Sequence, residues 1–232
     1  MSPMTITLPP KMTKFLNEVT YKVNPKFTIK NKAHPTGLYK VVAKIIGIFN
    51  KDLATSYITV INGECWYPAT NFNEAGDKFV GYEDGAIVVL AHETVHEYDR
   101  KKLGTIPFSF LYLFPQVLAL LSLLAIFAIW SPWWLLCLLF LGFAAPVPSI
   151  GRTYLELRGY KVNMMHDRLL GGDAKSYANF ISDAQFAGPA YYYMWPFKGY
   201  VVKNLLDQKT EDEEIYVLLK AWMLENLPGT SL

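Results

Sequence analysis

His92, Glu93 and His96 stand within the run Ala91 to Arg100, AHETVHEYDR, as an H-E-x-x-H. On a helix, positions four apart share a face, so two imidazoles can be turned toward one metal while the carboxylate beside them is turned aside. Zinc accepts neutral imidazole nitrogen and lowers the pKa of its bound water to about 7, after which a carboxylate can take the proton as that water attacks a carbonyl. His92 and His96 are therefore candidate metal ligands and Glu93 a candidate general base. Three fixed letters arise by chance in roughly 1% of chains this long at ordinary residue usage, so the surrounding chain has to strengthen the reading. Two of its four histidines lie in this one motif.

The elements that must position these residues follow from patterning. The stretch GAIVVLAHETVHEYDRKKLG is helix-compatible, with Asp84 and Gly85 as its starting signal and Gly104, ahead of Pro107, as its stop. Before it, SYITVINGECWYPATNF and GDKFVGY are rich in Ile, Val, Thr and aromatics, with turns at Asn62-Gly63 and Gly76-Asp77, and predict a small sheet. TGLYKVVAKIIGIF, residues 36 to 49, predicts a packing helix, and FTIKNKA an edge strand or extended arm. His34 has no partner at metal spacing and is expected in a loop or cap.

From Leu103 to Gly151 the chain carries no Asp, Glu, Lys, Arg or His, a run of 49 residues. One bilayer crossing takes ~20 apolar residues, so the run has the length of two. It breaks at Ser131-Pro132, flanked by Trp130, Trp133 and Trp134, which suit a membrane interface, while Phe108, Phe110, Tyr112 and Phe114 suit the opposite one. The segment before Pro146 is short, ~20 Å at 1.5 Å per residue, so a tilted or partial insertion is compatible with it, as is a hairpin buried in a soluble core. Arg100, Lys101 and Lys102 before the run, with Arg152, Arg158 and Lys161 after it, place both flanks on the cytosolic side.

A catalytic zinc site of this kind takes three protein ligands and keeps a position for water. After the uncharged run, SIGRTYLELRGYKVNMMHDRLLGG predicts a helix ending at Gly171-Gly172. A hairpin returns this helix beside the one it left, which makes Glu156 the candidate third ligand. His166, ten residues on and nearly on the same face, is the competing candidate, with Asp173 at the helix stop another, and a site without a third protein ligand is the remaining alternative. Cys65 and Cys137, the latter inside the apolar run, build neither a disulfide framework nor a thiolate site.

With these residues in place, the chain resembles a gluzincin metallopeptidase, the zincin subgroup with H-E-x-x-H and a downstream Glu. More narrowly it is similar to membrane-embedded zinc endopeptidases of the CAAX prenyl-protease and bacterial heat-shock protease type. The motifs that carry the resemblance span roughly Ser56 to Gly171. It implies Zn²⁺ held by His92, His96 and Glu156, Glu93 as general base, and a sheet edge from residues 56 to 83 that binds substrate backbone; a sheet that only packs against the motif helix accounts for the same residues equally well. That family usually has an Asp four residues after the ligand Glu, where this chain has Tyr160. Asp99 is the replacement acceptor for a motif histidine, and Arg152 the residue that would hold Glu156. Glu97 departs too, since an uncharged residue usually follows the second His.

The C-terminal third predicts an Asp173-capped helix, an aromatic segment GPAYYYMWPF, and two amphipathic helices. Tyr160, Tyr191, Tyr192 and Tyr193 are candidates to stabilise an oxyanion, although core packing or an aromatic belt is the more ordinary role of such residues. A net charge of +2 with 18% charged residues gives no strong basic field and argues against nucleic acid as a partner. The N-terminus has no apolar core of a secretory signal, so the chain is expected to begin in the cytosol.

The expectation is a mainly helical α+β protein with a zincin-like catalytic domain, a small N-terminal sheet and an inserted transmembrane helical hairpin. Residues 1–102 would carry the motif helix, 103–151 the hairpin, and 152–232 the third-ligand helix. Its expected work is zinc-dependent peptide-bond hydrolysis at the cytoplasmic face of a membrane, with peptide or protein and lipid as partners. The rival readings are an inactive zinc-binding membrane scaffold and a soluble peptidase with a buried hairpin.

Overall fold

The structure is a computed structural model that describes residues 6–49, 55–188 and 193–230. It is mainly helical with one three-stranded sheet, an α+β composition. The chain divides into two compact units: residues 1–98 with 214–232, and residues 99–213.

In the first unit, α1 (Pro10–Phe15) passes through a wide π-type turn (Leu16–Thr20) into α2 (Tyr21–Val23). Pro10 suits a first helical position, where no amide donor is needed. β1 (Thr28–Asn31), α3 (Gly37–Phe49), β2 (Thr59–Ile61) and β3 (Glu64–Tyr67) follow. β3 is the central strand, parallel to β1 and antiparallel to β2. The β2–β3 hairpin turns at Asn62 and Gly63, both at positive φ (53° and 81°), the conformation for which Asn-Gly is suited. GDKFVGY forms no strand of its own. Isolated bridges, Thr7 to Lys78 and Phe72 to Phe79, and the Asn73 side chain, which accepts from the Asp77 and Lys78 amides, tie it down, and Phe79 lies edge-on to Tyr67 and Phe72.

The motif helix α4 spans Glu83–Leu103, with Glu83 and Asp84 in its first turn and Arg100, Lys101 and Lys102 in its last, as the helix dipole favours. Gly104, at φ 87°, ends it. Ile87, Leu90, Ala91 and Val95 are wholly buried along one face. The first turn is pinned from α1, where Lys11 pairs with Asp84 at 3.0 Å and the Met12 amide donates to Glu83 at 3.1 Å. Thr20 and Thr94 share a buried hydrogen bond of 3.0 Å. The final helix of the chain, Glu214–Asn226, completes this core, with Trp222 edge-on to Phe15 and its indole N–H donated to Glu18.

In the second unit, α5 (Thr105–Leu113) leads into two 3₁₀ arms, Gln116–Ile129 and Pro132–Ala144. Long 3₁₀ runs are uncommon, and their threefold repeat is visible in the exposure. Leu120, Leu123, Ile126 and Ile129 form an exposed edge, whereas Ala119, Ser122, Ala125 and Ala128 lie on a more covered row of small side chains. No single helix among the described residues is long and apolar enough to cross a membrane; α5 and the first arm meet that criterion together, bent by 90°.

α6 (Ile150–Leu169) starts at Ser149, whose hydroxyl accepts from the Arg152 amide and donates to the Phe114 carbonyl. Gly151 lets α6 approach α5 closely, since a Cβ there would collide with the Leu111 carbonyl. α7 (Ala174–Ile181), capped by Asp173 as expected, and α8 (Lys198–Leu206) pack on α6. Their shared core includes Leu157, Tyr160, Met164, Ile181, Phe186 and Val201. The final helix, Glu214–Asn226, is α9.

Candidate metal centre

His92 and His96 follow one another on the buried side of α4, one turn apart, with their Nε2 atoms 3.0 Å from each other. Two nitrogens bound to one tetrahedral zinc at 2.0–2.1 Å would stand roughly 3.3 Å apart. The rings therefore present the same atom to nearly the same point. Glu93, between them in sequence, is partly exposed where the histidines are buried. Its charge is felt on β3: burial first, then the Glu93 carboxylate, push the Cys65 thiol well above its usual range. Tyr67 is raised by burial, then by Cys65 and Glu93, and its hydroxyl donates to the Ala86 carbonyl.

Glu156 is 1% exposed. His92, His96 and Glu156 each offer one ligand atom, and these atoms all lie within 4.8 Å of one another. Two imidazoles and a carboxylate are a donor set that zinc takes, and the group is compatible with it without identifying the metal. His166 and Asp173, the competing third-ligand candidates, are not in this group.

No model of a protein family, no curated protein and no solved structure matches the chain. The residues must carry the functional reading by themselves.

A buried carboxylate needs compensation, and Tyr112 on α5 provides some of it, donating its hydroxyl to Glu156 Oε1 at 2.5 Å. Arg152, one turn before Glu156, lies over the Tyr112 ring with its guanidinium carbon 5.1 Å from the centroid. The sequence assigned Tyr112 only to an aromatic belt. Its link to Glu156 crosses 44 positions and leaves no local signal.

Asp99 accepts from Arg158 Nε at 2.7 Å, and Arg158 also forks onto both oxygens of Glu213 at 2.9 Å. Glu97 is buried and accepts the side-chain amide of Asn24 at 2.8 Å, so the charge after the second His has a packing reason. Tyr160 belongs to the core beside Phe186. Tyr193 is half-exposed with φ 53°, and Tyr191 and Tyr192 lie outside the described residues. Lys32, following β1, donates to the Tyr57 carbonyl and to Thr59 at the start of β2. Burial lowers its pKa to about 8.

Proposed function

We propose that the chain is a zinc-dependent endopeptidase anchored to a membrane by its 3₁₀ hairpin and working at the cytoplasmic face. The observation that carries this reading is the buried His92, His96 and Glu156 group with Glu93, partly exposed, in the H-E-x-x-H that bears both histidines. Zinc, when bound, polarises a carbonyl and acidifies a water. Glu93 accepts a proton from the attacking water and returns it to the amine of the departing fragment. Tyr112, over whose ring Arg152 lies, holds Glu156 in place, and Asp99 is tied by Arg158 at the far end of the motif. A substrate peptide in extended form would add to an edge of the sheet, with β2 the edge within residues 56 to 83.

Support for the anchor is physical. The 49-residue run holds no charge, and most of the large side chains of its arms are exposed. Contiguous exposed apolar surface marks a membrane or an interaction site. At the ~2.0 Å rise of a 3₁₀ helix, the first arm reaches ~28 Å, against ~30 Å of hydrocarbon.

The test is to measure zinc content and peptide-library cleavage for wild type and Glu93→Gln. The reading expects both proteins to hold zinc and only the wild type to cleave. Zinc in both with no Glu93-dependent cleavage would establish the scaffold reading instead, which the core placement of Tyr160, where the families that the chain resembles carry an Asp, favours. Release of the chain by alkaline carbonate would remove the membrane anchor.

A further inference from the structure

α5 has two unlike faces. Ile106, Phe110 and Leu113, at spacings of four and three, are 83%, 52% and 51% exposed. Phe108 and Tyr112, also four apart, are more covered and stack at 6.1 Å, and Tyr112 reaches Glu156. The helix carries no charged side chain, and Lys101 and Lys102 stand exposed in the last turn of α4, two residues before it begins. It is bent by 90° from the first hairpin arm.

These observations choose the occupant of the apolar face. The face is continuous with the hairpin, and a helix perpendicular to an arm that enters a bilayer along its normal must lie in the bilayer's surface. A helix so placed buries its apolar face about 5–10 Å into the boundary between headgroups and acyl chains. Lysines at that level are drawn to anionic headgroups. A protein partner would not require the perpendicular geometry or the flanking cations.

The protein-facing side of the same helix then acquires a consequence. Gly151 brings the backbone of α6 against Leu111, so α5 and the start of α6 are in close register. Tyr112 extends that register to Glu156. We propose that α5 is a membrane-surface foot, and that its seating in an anionic bilayer holds Glu156, through the Tyr112 hydroxyl, where it completes the metal-binding group. This rests on the metal and membrane-anchor readings above and adds the regulation of the centre, which is assembled at a lipid surface and loosened away from one. Tyr112 is a positioning residue, acting on the metal only through Glu156.

The experiment uses the full chain in phosphatidylcholine–phosphatidylglycerol vesicles and in an uncharged detergent. A nitroxide on Phe110→Cys, with Cys137→Ala to leave only the buried Cys65, reports depth by its accessibility to oxygen against a water-soluble nickel chelate. Zinc affinity is measured by competition with a chromophoric chelator. The label is expected below the headgroups in vesicles, and a fully water-accessible label overturns the foot. Wild type is expected to bind zinc more tightly in vesicles than in detergent. Tyr112→Phe should lose about 10–100-fold in affinity in vesicles, the usual cost of removing a partner of a metal ligand. Ile106→Ser/Phe110→Ser should fall toward the same level. Tyr112→Phe should also alter the visible spectrum of the Co²⁺-substituted protein while leaving the metal-free unfolding midpoint in place, a signature that mere loss of packing would not give. Equal zinc affinity in wild type and both variants overturns the coupling and leaves the metal reading standing. Failure of the wild type to bind zinc in either medium overturns both.

Discussion

Arg158 donates from Nε to Asp99 at 2.7 Å. Its two terminal nitrogens meet the two oxygens of Glu213 at 2.9 Å each, so one guanidinium joins the last turns of α4 to α6 and to the segment before α9. Both partners in the Asp99 pair are buried. Removing one member of a buried pair leaves an uncompensated charge, which costs more than the pair itself contributes. Arg158→Met should lower stability by about 3 kcal/mol, read in urea unfolding. Arg158→Lys should recover little of it, because an ammonium cannot reproduce the fork. A variant as stable as wild type would show that the network contributes nothing.

Glu213 gives that network a pH signature. Its hydrogen bond with Arg158 is the largest cause holding its carboxyl below the ordinary 4.5. A folded pKa that is lowered contributes stability above the unfolded value and loses it as pH falls through the folded one. The advantage of wild type over Glu213→Gln should therefore be full at neutral pH and shrink on acidification from about 4.5 downward. Unfolding curves of the two proteins at stepped acid pH measure it, and a constant difference would remove the ion pair as its source.

Local chemistry made much of the frame legible, and long-range contacts were where legibility ended. Gly104 and Gly171 stop α4 and α6, Asp173 caps α7, and Asn62-Gly63 turns the hairpin, each by a preference confined to a few residues. His92, His96 and Glu156 were reachable because the histidines carry their own spacing and the uncharged run implies a return. Tyr112 was missed because its partner is far away in sequence, and Arg158 because a helix pattern does not say which carboxylate a buried arginine will find. The hairpin arms were expected to be α-helical. A nearly unbroken apolar composition leaves the period unreadable, and only the alternation of small and large side chains every third residue distinguishes 3₁₀ winding.

Glu97 supplies the third prediction. It is buried after the second motif histidine and accepts from Asn24, the residue that ends α2. Glu97→Ala should cost about 1–3 kcal/mol by leaving a polar partner unsatisfied. Glu97→Gln keeps an acceptor and should cost less, with zinc retention unchanged. Loss of zinc from Glu97→Gln at full stability would instead give Glu97 a role at the metal.

Lys32 supplies a prediction at the alkaline end. Burial lowers its pKa from 10.5 to about 8, while its ammonium donates to Tyr57 and Thr59 ahead of and within β2. Between those two values the unfolded chain holds a proton on Lys32 that the folded chain has released. Stability rises with pH wherever the unfolded state binds more protons, so wild type should gain on Lys32→Met from pH about 8 to 10.5. Tyr39, raised by burial to about 12, works in the opposite direction above its ordinary 10.0 but is present in both proteins. Parallel stability profiles across this window would mean that Lys32 titrates alike in both states.

Gly151 offers the sharpest structural test, because a single methyl group separates two outcomes. A Cβ there would run into the Leu111 carbonyl, a backbone atom that cannot rotate away, so Gly151→Ala must part α5 from the start of α6. Overpacking of this kind costs about 1–3 kcal/mol. Since Glu156 stands five residues along the same helix and is bonded from α5 through Tyr112, the displacement should also weaken zinc retention. Gly142, in the second hairpin arm, has open space where its Cβ would go. Gly142→Ala should therefore leave both stability and zinc affinity near wild type. If the two alanine variants unfold and hold zinc alike, close approach at Gly151 is not what sets the α5–α6 spacing.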